Sequence, residues 1–107
     1  MKIRQLICKK DKWCQEKVAI DENGNEIIPD GNNKPVSYCL TGALIECYND
    51  KKERGDIEMR ILNFLRAKYG EAMVQEDDFD KCPIERFNDG KKRKYKEIRE
   101  LVRTLDI

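Results

Sequence analysis

The chain has 107 residues, 39% hydrophobic and 40% charged, with 22 Lys and Arg against 21 Asp and Glu. That length suits one domain, and the balanced charge excludes a global field that would steer the protein to nucleic acid or to a membrane. So small a core under so charged a surface calls for an economical helical fold or a partner.

The N-terminal stretch MKIRQLICKKDK lacks the apolar region of a signal peptide, and no stretch of the chain approaches a membrane span. The expected location is a reducing cytoplasm. There Cys8, Cys14, Cys39, Cys47 and Cys82 stay as thiols, as their odd number also suggests. His is absent, which removes the commonest general base and metal ligand. No CxxC pair occurs either, so neither a metal nor another cofactor is expected.

Ile3, Leu6 and Ile7 suggest a short helix of about two turns, followed by Lys9, Lys10 and Lys12. Trp13 reads as an anchor for the core in preference to an exposed recognition residue. Two β-prone runs within about 17–28 flank Asn23-Gly24, a pair suited to a two-residue hairpin turn. That turn would pair Ile20 with Ile27 and Ala19 with Ile28. Pro29 to Pro35 is a polar connection in which Pro35 forbids regular pairing.

Tyr38 to Tyr48 is the longest uncharged run apart from Glu46, and predicts a central helix over about 37–49 capped by Ser37. Gly42 and Ala43 let another backbone come close. Lys51 to Gly55 reads as loop, and Asp56 as the cap of a helix from Ile57 to about Tyr69. Residues 71–93 read as irregular, with the acidic run Glu76–Asp80. Tyr95, Ile98, Leu101, Val102 and Leu105 then mark a last helix. The expected fold class is mainly α (α+β): three to four helices packed around the central one, with one small β-hairpin, in a single compact domain over 1–107.

The sharpest charge feature is Lys91, Lys92, Arg93, Lys94 and Lys96, placed where cations oppose the dipole of the last helix. Either a phosphate or an acidic partner meets them, or the 76–80 run neutralises them. Asn88-Asp89, set between apolar and basic groups, reads as a buried hydrogen-bond bracket or as part of a site. These seven residues are the candidate binding set; no catalytic dyad, triad or metal set can be assembled from spacing.

Trp13-Cys14-Gln15, the D-x-x-G turn at Asp21–Gly24, Cys39-Leu-Thr-Gly-Ala-Leu44, Asn88-Asp89 and Glu97-Ile98 occur in that order. The series resembles the bacterial and phage domain of unknown function 6197, over about residues 13–102. Phe87 stands where that family usually has Trp, Lys94 where a Thr or Ser caps the last helix, and Gly90–Arg93 replaces a Pro-Gly turn. The resemblance implies a compact helical domain of phage or bacterial origin and no known activity. The expected function is a non-enzymatic binding protein acting by occlusion, such as a phage or mobile-element counter-defence inhibitor (an anti-CRISPR, for example) whose target is a host or phage protein. A nucleic-acid-binding accessory protein using Lys91–Lys96 is the alternative, and an enzyme using Asp or Cys a further one. Oligomeric state stays open, with a homodimer among the options.

Overall fold

The computed structural model describes residues 1–75 and 82–107, so the acidic run Glu76–Asp80 lies outside the described residues. Helices α1 (Ile3–Leu6), α2 (Leu40–Cys47), α3 (Lys51–Tyr69), α4 (Pro83–Asn88) and α5 (Tyr95–Leu105) enclose one hydrophobic core. Strands β1 (Ala19–Ile20), β2 (Glu26–Ile27) and β3 (Ser37–Tyr38) form an antiparallel sheet in the order β2-β1-β3. The fold is therefore mainly α with a small sheet. Among the described residues, no helix is long and apolar enough to cross a membrane.

α2 is central. Leu40, Ala43 and Leu44 are buried on it, and α1, α4 and β3 all pack against it. It is shorter than the 37–49 expected, because Ser37 and Tyr38 extend to pair with Ile20 and Ala19 of β1. The cap passes to Cys39, whose Sγ accepts from the Gly42 amide at 3.3 Å. Pro35 ends no pairing beyond itself, since the Val36 amide already donates to the Ile20 carbonyl at 2.8 Å.

The hairpin forms with its register one residue from the one expected: Ala19 faces Ile27 and Ile20 faces Glu26. Asp21 explains the slip. Its Oδ1 accepts from the amides of Asn23 and Asn25, each at 2.9 Å, and its carbonyl accepts from Gly24 at 3.0 Å. That locks a three-residue loop in which only Gly24, at φ 83°, takes the left-handed conformation.

α3 begins six residues earlier than the expected Ile57 start, at Lys51, because Asp50 rather than Asp56 caps it, accepting from the Glu53 amide at 2.9 Å. Gly55 sits inside the helix with open space where a side chain would be. Within 71–93, Glu71–Val74 forms a 3-10 turn and α4 starts at Pro83, where a missing amide costs nothing. α4 buries Ile84, Phe87 and Asn88.

Among the described residues, the large apolar side chains sealed inside include Ile3, Ile7, Leu40, Leu44, Ile61, Leu65, Phe87, Ile98, Leu101, Val102 and Ile107. Burying each stabilises by about 1.5–3 kcal/mol. The two ends of the chain meet: the Arg4 amide donates to the Ile107 carbonyl at 3.2 Å, and Asp106 accepts from Lys2 and Arg4 at 2.7 and 2.8 Å.

Candidate binding groove

Lys10–Lys12 forms a 3-10 turn that delivers Trp13 in extended conformation beside Tyr38. Trp13 is half-buried against the core, and its Nε1 donates to Asn88 Oδ1 at 2.8 Å. Tyr95 opens α5, and its hydroxyl donates to the Ile7 carbonyl at 2.8 Å. Burial raises the phenol pKa, so it stays a donor at neutral pH. Both rings are thus held by their polar ends, with centroids 6.4 Å apart and planes tilted by 42°. Together with Lys10, Gln15, Arg93, Lys94 and Lys96 they line an open depression of about 510 Å3.

The basic run does not act as one patch. Arg93 turns back onto the protein: its guanidinium lies 3.8 Å from the Phe87 ring centroid, its Nε donates to the Phe87 carbonyl at 2.8 Å, and it pairs with Glu97 at 2.8 Å. Lys94 and Lys96 stand on the groove rim, while Lys91 and Lys92 lie exposed in the turn before α5, outside the groove lining. None of these four lysines, nor Lys10, forms an ion pair among the described residues. The cap that Lys94 cannot supply comes neither from Asn88 nor from Asp89. The Glu97 amide donates to the Lys94 carbonyl at 2.9 Å, and the Glu97 carboxylate reaches back to accept from the Lys94 amide at 2.9 Å.

Asn88 is 1% exposed and uses both ends of its amide. Oδ1 accepts from Trp13 Nε1 and from the Leu40 amide at 3.1 Å; Nδ2 donates to the Cys14 carbonyl at 3.1 Å and to Asp89 Oδ1 at 2.8 Å. Gln15 Nε2 closes the arrangement on the Asn88 and Gly90 carbonyls at 3.0 and 2.9 Å. Asp89 Oδ1 also accepts at 2.9 Å from the amide of Glu16, a non-glycine residue at φ 68°. Asp89 faces a second, smaller depression, lined among the described residues by Glu16, Glu26 and Glu85 and by Lys17.

The cysteines are free thiols. Burial pushes Cys39 and Cys47 up to about 11, and raises Cys14 as well, which disfavours the reactive thiolate. Cys14 Sγ donates to the Lys17 carbonyl at 3.4 Å, so it serves the turn that carries Gln15 and Glu16.

The groove brings together three of the basic residues singled out in the sequence, Arg93, Lys94 and Lys96, with Trp13, Tyr95, Lys10 and Gln15, which were not in the candidate binding set. The Trp13-Cys14-Gln15 block and the neighbouring Lys9, Lys10 and Lys12 were the available signals. Their meeting with α5, more than eighty positions on in the chain, leaves no periodic trace.

What the fold and the groove define is a small, mainly α domain that presents a fixed aromatic pair inside a rim of lysines. The chain belongs to the family of unknown function (DUF6197), whose model matches residues 1–105. No curated protein and no solved structure matches it.

Proposed function

We propose that the protein is a non-enzymatic binding module that covers an acidic surface of a partner protein through the Trp13–Tyr95 groove. One observation carries this reading: Lys10, Lys94 and Lys96, without ion-pair partners among the described residues, converge on two aromatic rings held in place from below. Aromatic residues with pinned polar ends lose little conformational entropy on binding, and unpaired rim cations favour encounter with an acidic partner. The small, densely charged chain fits a phage or mobile-element accessory protein that inhibits a host factor by occlusion in the cytoplasm.

A second reading, a nucleic-acid-binding accessory protein, gains from Trp13 joining Tyr95 beside the lysines, because cations interleaved with aromatics suit single strands. The two are separated by capture from bacterial lysate at low and high salt. The wild type is compared with a variant carrying Lys94→Glu and Lys96→Glu. The changes place acids at the N-cap and in the first turn of α5, where they favour the helix dipole, so the variant folds with its melting temperature unchanged or slightly raised. A protein captured by the wild type and lost with the variant supports the first reading. Nuclease-sensitive capture replaces it with the second, and capture indifferent to both charges removes the groove from either.

A further inference from the structure

We infer that the groove's occupant is a short acidic peptide segment anchored by one aromatic side chain, which packs on Trp13 and Tyr95 while flanking carboxylates meet Lys10, Lys94 and Lys96. The inference rests on the docking role given to the groove above, and names what docks there.

Size argues first. At about 510 Å3 the depression lies among pockets for compact ligands, roughly 300–1,000 Å3, and suits an anchor residue with its neighbours better than a broad folded face. The rings come next. Trp13 and Tyr95, 6.4 Å apart and tilted by 42°, both line the depression, and a third ring placed against them makes the offset or edge-on contacts that aromatic pairs prefer. Charge then selects the flanks. Arg93 is engaged with Phe87 and Glu97, so the available cations are lysines, flexible point charges that meet single carboxylates without fixed fork geometry.

A nucleic-acid strand fits the surroundings less well. Gln15 lines the basic groove, while Glu16, the next residue, lines the depression that also holds Glu26, Glu85 and Asp89. A chain with a charge at every unit, leaving the groove on that side, runs into like charge. A short peptide segment gathers its carboxylates about the anchor, need not run on in that direction, and escapes that cost.

Trp13 is the only tryptophan, so its emission reports the groove directly. The probes are the acetylated peptide amide Glu-Glu-Phe-Glu-Glu, its alanine counterpart Glu-Glu-Ala-Glu-Glu, and an oligothymidylate of about ten nucleotides. The expected result is a saturable emission change with the phenylalanine peptide and binding about tenfold weaker for the alanine peptide, the factor that one aromatic contact supplies. Lys94→Glu with Lys96→Glu weakens the phenylalanine peptide by a further tenfold or so, while Lys51→Glu with Lys52→Glu, the same charge change at the start of α3, leaves it alone. Equal affinity for both peptides, no saturable change up to about 1 mM, or tighter binding of the oligothymidylate overturns the inference. If the peptides fail while a lysate protein is still captured by the wild type and lost with the Lys94, Lys96 variant, the docking role stands and only the anchored-peptide reading falls.

Discussion

A methyl group on Gly42 would lie 2.0 Å from the Val18 carbonyl oxygen, which already accepts from the Cys39 amide at 3.0 Å. Helix propensity favours Ala over Gly by about 1 kcal/mol, yet that oxygen belongs to backbone tied into the sheet and has no room to retreat. Overpacking of this kind costs about 1–3 kcal/mol and here exceeds the propensity gain. Gly42→Ala is therefore expected to lower the melting temperature, by roughly 4–8 °C for each net kcal/mol lost, and a rise in a thermal scan refutes the contact. Asn88 makes a parallel case. Replacing it with Ala orphans Trp13 Nε1, the Leu40 amide and the Cys14 carbonyl together, at about 1–3 kcal/mol for each group left buried. The expected outcome is a chain largely unfolded in urea titration where the wild type is folded. Asn88→Asp keeps the acceptor but sets a second carboxylate against Asp89, so it should rescue little.

At the scale of elements, what was legible in the sequence is what local pattern determines. The apolar run of α2, the α5 stripe and a hairpin turning near Asn23-Gly24 all appear, because periodicity and turn chemistry act within a few residues. The turn itself is a three-residue loop and not the two-residue one expected. The errors lie where a neighbouring side chain decided. Asp50 outbid Asp56 as the α3 cap, Asp21 shifted the hairpin register, and α4 was hidden by brevity and by a Pro that starts a helix as readily as it ends one. The Lys94 start of α5 is the clearest substitution of one device for another. Glu97 supplies the other half of a capping box, while the amide that a capping hydroxyl would take donates to the Lys94 carbonyl at 2.9 Å. The Lys94 amide, and then the nearby Arg93, hold its carboxyl below the ordinary value of 4.5. A depressed carboxyl contributes stability that is present above about pH 4.5 and disappears as pH falls through the folded value. Glu97→Gln should accordingly melt lower than wild type near neutral pH, with the gap narrowing below pH 4.5. A gap constant with pH in a series of thermal scans would mean that Glu97 acts by packing alone.

Over the whole molecule, charge is segregated rather than absent, and that segregation is invisible in a formal net charge of +1. One depression carries Lys10, Lys94 and Lys96 around the aromatic pair, and its neighbour carries Glu16, Glu26, Glu85 and Asp89. The sequence exposed the Lys91–Lys96 cluster but not its division, because the inward turn of Arg93 depends on Phe87 and Tyr69, which only the tertiary fold brings beside it. This division bounds how the protein meets a polyanion. Binding to duplex DNA changes with salt at a log–log slope of about −0.9 for each phosphate neutralised. The three groove lysines allow a slope no steeper than about −2.7, and adding Lys91 and Lys92 extends it only to about −4.5. Between 50 and 200 mM salt, the groove alone therefore loses about 40-fold in affinity, against the 10³–10⁵-fold typical of six to ten phosphate contacts. Non-specific duplex affinity should be weak even at low salt, and Lys91→Glu with Lys92→Glu should change it more than they change a protein complex seated in the groove. Fluorescence anisotropy with a labelled duplex across that salt range is the direct check. A slope steeper than about −4.5 would require cations beyond these five, and would place the nucleic-acid surface elsewhere on the molecule.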